Sequence, residues 1–207
     1  SGTTVGVDIS VSSLENAKSI YNQCVQADIT KPLPFEDQAF DFISSKEVLE
    51  HIACTDKDKI LGEAHRVLKN GGKALFIFET IGVFHRLARR ISDDCYNKYL
   101  VEAYGHVGLE RPGEAIARLR NSGFKILRIE KHFSLLFPIG ILLEYLDNDY
   151  KKKSVVLEKF VKTVKFISRY PRFAEIVNFC ALGLQEIFEI FLPLDAGSSL
   201  CVICEKE

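Results

Sequence analysis

Two aspartates that close successive β-rich runs are the first residues whose type and spacing could do chemistry. Asp8 ends the run TTVGVD, and Asp28 ends QCVQAD one strand–helix–strand step later. In open parallel sheets ligands bind at the carboxyl ends of the strands, where one acid can accept hydrogen bonds from a ribose diol and the next from an adenine amino group. The pair therefore suggests an adenosine-bearing cofactor. The alternative is that both are helix caps or loop acids, a common role of aspartate, and spacing alone leaves both interpretations open.

A cluster of acids around a histidine follows in SSKEVLEH. On a helical turn Glu47 lies three and four residues before Glu50 and His51, so the three side chains can converge. Histidine is the usual general base near neutral pH. His51 is therefore one candidate catalytic residue and His106, in the loop YGHVGLE, is the other, with His85 as a third. The alternative for each histidine is a structural role.

The sequence predicts strands that alternate with helices along the chain, and this alternation would place these residues at the ends of strands. Strand-like runs occupy 3–10, 23–29, 40–45, 73–80, 124–133 and 198–207. Helices are expected after a capping box from Ser12 to Glu15, over 55–69 with Gly71 and Gly72 as its C-terminal cap, and over 112–121. Such alternation predicts a parallel α/β sheet.

The composition suits a single globular domain. The 207 residues are 47% hydrophobic, and the formal net charge of -1 gives no reason to expect a nucleic-acid partner. No run of 18 apolar residues without charge predicts a membrane span. Six scattered cysteines favour a reduced, cytoplasmic protein. Cys201 and Cys204 are expected on one strand with side chains on opposite faces, which suits core residues better than a metal or redox pair.

Three motifs in order carry a resemblance to a known family: VGVDIS, ADITKPLPFEDQAFDFISSKEVLEHI and EAHRVLKNGGKALFIFE. The sequence resembles the class I S-adenosylmethionine-dependent methyltransferases, most of all the branch that methylates quinone, lipid and other small-molecule acceptors. The resemblance implies a Rossmann-like α/β fold, mostly parallel, with an antiparallel last strand and a helical insertion before it. It also implies that residues 1–207 form one methyltransferase domain and that the cofactor is S-adenosylmethionine.

The resemblance assigns the adenosine-binding residues position by position. Asp8 would bind the ribose hydroxyls and Ile9 would line the adenosine. Asp28 would hold the adenine amino group, and Ile29 would pack on the ring.

Near the reacting end, the resemblance places Ser44 and Ser45 beside the methionine moiety. In quinone-type O-methyltransferases, acids and a histidine that match Glu47, Glu50 and His51 are linked to a divalent metal that would lower the pKa of a phenol. The same VLEH motif occurs in methyltransferases without metal, where it braces the loop. Our prediction for this chain is no metal.

One part of the family pattern is missing. The glycine-rich loop between the first strand and the first helix would stand just before VGVDIS, and this sequence does not contain it. NGGK cannot replace it, because it follows a helix and precedes a strand, the wrong order for such a cradle. We therefore expect one strand–helix unit of about 30 residues to be missing upstream of Ser1.

A helical insertion or lid is predicted over 134–197. Its apolar content suggests a pocket for a hydrophobic acceptor such as a lipid or prenylated quinone, and the same residues would suit a homodimer interface. Within 151–194 a basic amphipathic helix fits peripheral contact with an anionic membrane surface. The alternative is a lid that leaves its lysines in solvent.

Two other functions stay open at this stage. A non-catalytic relative would keep the fold as a binding or scaffold module, and the missing loop is its only support. A nicotinamide-dependent oxidoreductase could use Asp8 for its cofactor's ribose, but the chain has no G-x-G-x-x-G, and this function does not account for the motifs between residues 27 and 52.

Overall fold

The computed structural model describes residues 2–82, 85–86, 89–90, 93–132 and 199–207. The predicted insertion at 134–197, with its proposed homodimer interface, and the proposed membrane-contacting segment at 151–194 lie outside these described residues. Within them, none of the helices is both long and apolar enough to cross a bilayer.

Six strands form two sheets in the described part of the chain. The strands are β1 (Val5–Asp8), β2 (Gln23–Gln26), β3 (Phe40–Lys46), β4 (Leu68–Glu79), β5 (Phe124–His132) and β6 (Ser199–Lys206). β1 and β2 pair in parallel, and the other four strands form a sheet of order β3-β4-β6-β5. β3 is parallel to β4, whereas β6 runs antiparallel to both β4 and β5. The predicted α/β fold with an antiparallel last strand is confirmed.

The helices are α1 (Val11–Ala17), α2 (Cys54–Val67), α3 (Asp93–Asn97) and α4 (Pro112–Asn121), with a 3-10 turn at Leu49–His51 and a π-helical turn at Lys98–Ala103. The main core lies where α2 and α4 pack on the central strands β4 and β6. Its fully buried members include Leu61, Leu68, Leu119, Leu200 and Val202. Burying each such side chain contributes about 1.5–3 kcal/mol, and this core fixes the strand ends where the candidate site lies.

Two predicted helix caps are wrong. α1 begins at Val11, because the Ser10 hydroxyl accepts from the Ser13 N–H at 3.3 Å and makes Ser10 the N-cap. Glu15 is therefore free of the predicted capping box and pairs with Lys18 at 2.6 Å instead.

The second wrong cap is the glycine pair after α2. The helix ends at Val67, and Leu68 already has the extended conformation that begins β4. Gly71, at φ 72°, lies inside an irregular stretch of β4, where the pairing with β3 jumps from Leu68 to Lys73. The reason is burial: Leu68 is fully buried, and burying it draws the chain out of the helix earlier than the glycines suggest.

The last predicted helix and the last predicted strand agree with the structure within one residue. The helix predicted over 112–121 is α4, where Pro112 occupies the first turn and the Glu114 carboxylate accepts from the Arg111 N–H at 3.0 Å. Cys201 and Cys204 lie on β6 as predicted, half-buried and buried on opposite faces. Burial raises the pKa of the Cys204 thiol to about 12, which keeps it protonated and unreactive.

Candidate active site

The two predicted cofactor-binding aspartates lie at a shared sheet edge. The register of β1 and β2 sets Asp8 beside Gln26, and the Ala27 N–H donates to the Asp8 carbonyl at 3.1 Å. Asp28 follows two residues after the end of β2. The parallel pairing therefore brings both acids to the same carboxyl edge, as the strand-end argument requires.

Asp8 is oriented by the turn that leads into α1. Its Oδ1 accepts from the Ser10 N–H at 2.7 Å, which fixes the carboxylate over the edge of the sheet. Ile9, beside it, is 65% exposed and offers an apolar surface at this edge. A carboxylate next to an exposed aliphatic side chain fits the polar diol and apolar ring face of an adenosine.

Asp28 is held by its own turn. Its Oδ1 accepts from the N–H and the hydroxyl of Thr30, at 3.0 and 2.7 Å. The Thr30 hydroxyl, followed by the Thr30 N–H and Lys31, lowers the pKa of this carboxyl, so it is ionised at neutral pH. Ile29 packs partly against the main core. Both acids are thus turn residues, as the alternative interpretation has it, and their role in binding the cofactor stays a prediction.

The predicted serines lie on β3. Ser44 pairs with Leu75 and Ser45 with Phe76 on the neighbouring strand β4. Adjacent residues of a strand point to opposite faces, and here Ser45 is half-buried while Ser44 is exposed. One face of the sheet can therefore present only one of the two hydroxyls.

The acids after β3 do not converge as the helical spacing suggested. Glu47 adopts φ 54° and is largely exposed, 3.8 Å from Lys46, because it precedes the 3-10 turn and does not belong to it. Glu50 is 1% exposed. Burial raises the pKa of Glu50, and its Oε2 has no hydrogen-bond partner among the described residues.

No metal centre is assembled in the described ranges: no group of three or more His, Cys, Asp or Glu side chains is placed to hold a metal ion. The alternative built on Glu47, Glu50 and His51 thus finds no geometric support, since Glu47 turns to solvent while Glu50 is buried.

The structure does bring the two predicted catalytic histidines together. The rings of His51 and His106 meet edge to face with centroids 4.9 Å apart, and His51 Nδ1 lies 3.3 Å from the Gly105 carbonyl. Burial, followed by the nearby His51, lowers the pKa of His106. The ring of His106 is therefore largely neutral at pH 7.

An acid that sequence reasoning missed completes this group. Glu79, the last residue of β4, has its Oε2 3.2 Å from His106 Nδ1. Burial, followed by the charges of Glu50 and Glu47, raises the pKa of Glu79 to about 7. The rule that found Asp8 and Asp28, an acid at a strand's carboxyl end, also applies to KALFIFE and would have found it.

Two further buried groups lie behind this edge. His85 is fully buried, and burial lowers its pKa to about 4. Its ring packs edge to face on Tyr96, with centroids 6.0 Å apart, and burial raises the pKa of Tyr96 to about 12. Both are neutral near pH 7, so His85, the third predicted histidine, is placed as a buried support and not as a base at the edge.

A buried ion pair supports the loop that carries His106. Lys57 of α2 donates to the Gly108 carbonyl and to Glu110 Oε2, the latter at 2.8 Å, and Lys57 and Glu110 are 3% and 8% exposed. Arg118 of α4 pairs with the other oxygen of Glu110 at 2.6 Å. A Cβ added at Gly108 would lie 1.7 Å from the Ile52 carbonyl oxygen, so only glycine lets the loop approach this closely.

The comparisons with known proteins agree with the predicted fold class. A model of the methyltransferase domain matches residues 1–76, which include β1 to β3, α2 and most of β4. The chain has a class I methyltransferase fold. The predicted resemblance to S-adenosylmethionine-dependent methyltransferases is confirmed, and S-adenosylmethionine is the cofactor that the match supports.

Solved methyltransferase structures share this fold over nearly the whole chain. A SAM-dependent methyltransferase from Archaeoglobus fulgidus matches with a TM-score of 0.53 and 14% identity, over 98% of this chain and 75% of that one. Phosphoethanolamine N-methyltransferase 2 of Haemonchus contortus, solved with S-adenosyl-L-methionine, matches at 0.55 and 22%, over 98% and 43%. The Haloferax volcanii protein solved in complex with the Trm112 methyltransferase activator matches at 0.55 and 15%, over 99% and 72%.

At these identities the solved structures establish the methyltransferase fold and leave the acceptor open. No curated protein matches the chain by sequence. The acceptor has to be inferred from the site itself.

Proposed function

We propose that the protein transfers a methyl group from S-adenosylmethionine to a small-molecule acceptor bound at the carboxyl ends of β3 and β4. The observation that carries this proposal is the meeting of Glu79, His51 and His106 on the sheet that continues from the matched methyltransferase domain. When bound, the cofactor supplies an electrophilic methyl group on a sulfonium. The chain has to hold it, orient the acceptor and exclude water.

Asp8 and Asp28 are the residues we propose for the adenosine. In each aspartate, Oδ1 accepts a hydrogen bond from a backbone N–H of the turn that follows, and this bond fixes the direction of the carboxylate. Pre-oriented acceptors lose less entropy when they bind a hydroxyl or amino group than free side chains do. Ser45, half-buried near the end of the next strand in sequence, is the better placed of the two serines to approach the methionine moiety.

The histidine edge is proposed for the acceptor. Methyl transfer depends mainly on positioning and, for a hydroxyl or amine acceptor, on a base. The ring of His106 is mostly buried and that of His51 is exposed. His106 would therefore form the inner part, and His51 the outer part, of one side of the proposed acceptor site.

We propose further that the acceptor is hydrophobic, a lipid or a quinone-like molecule. This part is supported by the apolar composition of 134–197, which lies outside the described residues. The likeness to a phosphoethanolamine N-methyltransferase is a reason to test a small polar amine beside the apolar acceptors.

A calorimetric titration with S-adenosylhomocysteine tests the cofactor site. Asp8→Ala should weaken binding about ten-fold or more, the usual cost of losing a charge-assisted hydrogen bond. Asp41→Ala is the matched control, because Asp41 is an exposed strand acid whose partner is Lys69 at 2.8 Å. Equal loss in both variants, or none in either, would remove the support for Asp8.

Methyl transfer itself is tested with methyl-labelled S-adenosylmethionine and a panel of acceptors: a catechol, a prenylated hydroquinone, phosphatidylethanolamine and phosphoethanolamine. Labelling of any of them above a heat-inactivated control supports the proposed reaction. Tight binding of S-adenosylhomocysteine without labelling of any acceptor would favour the non-catalytic binding module.

A further inference from the structure

Glu79 and His106 meet over the carboxyl end of β4, with Oε2 and Nδ1 3.2 Å apart and side chains 31% and 10% exposed. The distance suits an ion pair, yet within the described residues neither atom has a hydrogen bond of good angular geometry. Catalytic hydrogen bonds are often poorly aligned until the substrate binds. We therefore expect the hydrogen bond between Glu79 and His106 to form fully only when the substrate is bound.

We propose that Glu79 positions His106 as the base of the methyl transfer, and that the acceptor therefore carries an exchangeable proton on the nitrogen or oxygen that is methylated. The inference rests on the proposed function and adds to it a positioning residue and an acceptor class. With Nδ1–H donating to the Glu79 carboxylate, the imidazole keeps its lone pair on Nε2. The carboxylate then holds the ring and stabilises the imidazolium that forms.

The step balances in atoms and electrons. The N–H or O–H proton of the acceptor moves to His106 Nε2, and a bond forms between the acceptor heteroatom and the methyl carbon. The bond between the methyl carbon and the sulfonium breaks, and its electrons stay on sulfur as a thioether. Tertiary amines and thioethers carry no such proton and need no base, so a built base argues for a hydroxyl, or for a primary or secondary amine.

The charges around the pair set the pH at which it works. The titratable groups near Glu79 and His106 are Glu47 and Glu50 from the end of β3 and the 3-10 turn, His51, Tyr104, His85 and Tyr96. Burial, followed by the charges of Glu50 and Glu47, favours a protonated Glu79, and burial favours a neutral His106. The two groups titrate as a pair, and the form with an ionised Glu79 and a neutral His106 prevails above about pH 7.

Histidine NMR tests the positioning without any acceptor. In the intact protein at pH 8 with S-adenosylhomocysteine, the nitrogen shifts of His106 should show the proton on Nδ1. Glu79→Gln should reduce that tautomer, because the amide can donate to Nδ1. Glu15→Gln, which removes an exposed acid of α1 that pairs with Lys18, should leave it unchanged. A proton on Nε2 in the wild-type protein, or equal spectra for wild type and Glu79→Gln, overturns the proposal.

The pH profile of methyl transfer tests the base role. With an acceptor that the wild type methylates, the rate should rise through about pH 7. In Glu79→Gln the rising limb should move to lower pH and the plateau should fall about ten-fold or more, a share of the 10²–10⁴ that a positioned base contributes. An unchanged limb and plateau, or a wild-type acceptor that is a tertiary amine or thioether, contradicts the proposal. A third result is also possible: no acceptor is methylated, yet the Nδ1 tautomer of His106 depends on Glu79. That result would overturn the proposed reaction and the role of His106 as its base, and would leave only the pairing of Glu79 with His106.

Discussion

The rings of His51 and His106 pack edge to face, 4.9 Å between centroids, although 54 residues separate His51 from the Gly105 carbonyl that it also contacts. The contact joins the 3-10 turn after β3 to the loop before α4. A second link between the same segments runs from the Gly108 N–H to the Glu50 carbonyl at 2.9 Å. The position of His106 therefore depends on the contacts that hold its loop against the 3-10 turn.

His51→Phe tests how the two rings influence each other. Phenylalanine keeps an aromatic edge against His106 but carries no charge. Because burial is the main cause of the lowered pKa of His106 and His51 is the smaller one, this pKa should rise only partly in the variant and stay below 6.5. An NMR titration of His106 measures it. A pKa at or above 6.5 would show that the His51 charge, and not burial, dominates.

Lys57→Met should loosen the loop that carries His106. Removing one partner of a buried ion pair typically costs about 3–5 kcal/mol, and here we expect about 2–3 kcal/mol because Arg118 still neutralises Glu110. Urea denaturation measures the loss. Methyl transfer should fall further than stability alone explains, since the Gly108 carbonyl also loses its donor.

Lys59→Met is the matched control on the same helix. Lys59 is largely exposed and pairs with Asp56 at 3.0 Å, so its loss should change the free energy of unfolding by less than about 0.5 kcal/mol. Similar effects of the two substitutions would show that the ion pair of Lys57 and Glu110 does not hold the loop.

Glu79→Gln should also change how stability depends on pH. The folded state raises the pKa of Glu79 from 4.5 to about 7, so between these values the native protein binds more protons than the unfolded chain, and stability falls as pH rises. Glutamine does not ionise, so this dependence of stability on pH is lost in the variant. The variant should be more stable than the wild type at pH 8.5 by on the order of 1–3 kcal/mol, at about 1.4 kcal/mol per pKa unit.

The comparison is made by thermal or urea unfolding at pH 5 and pH 8.5. The buried His85, whose pKa is lowered to about 4, has the opposite pH dependence, but it is present in both proteins and cancels in the difference. A difference that does not grow between the two pH values would mean that Glu79 is not held in the protonated form.

The sequence predicted the parts of this molecule that depend on local pattern. Asp8 and Asp28 could be predicted because Asp8 ends the short strand β1 and Asp28 follows two residues after the short strand β2. Glu79 ends β4 in the same way, so the same rule could have predicted it. The meeting of His51 and His106 could not be predicted, because it depends on contacts between segments about 50 residues apart. The positive φ of Glu47, which turns its side chain to solvent, also has no signal in the spacing of acids.

The burial of Lys57 could also not be predicted from the sequence pattern. In α2 the apolar positions, Ile60, Leu61 and Ala64, follow helical spacing, and Lys57 lies one turn before them on the same face. A lysine there is normally expected to reach solvent. It is buried because Glu110 and the Gly108 carbonyl come from the distant loop to receive its charge.

Thr30→Val tests whether the turn around Asp28 serves the cofactor. Valine keeps the shape of threonine but removes the hydroxyl that donates to Asp28 at 2.7 Å and is the largest cause of its lowered pKa. The carboxylate should become less well oriented, and affinity for S-adenosylhomocysteine should fall roughly 3- to 10-fold, the range for one lost hydrogen bond. Thr4→Val is the control, because its hydroxyl bonds Asn22 at 2.9 Å at the opposite end of β1. If both variants bind as the wild type does, Asp28 acts as a loop acid and another residue holds the adenine.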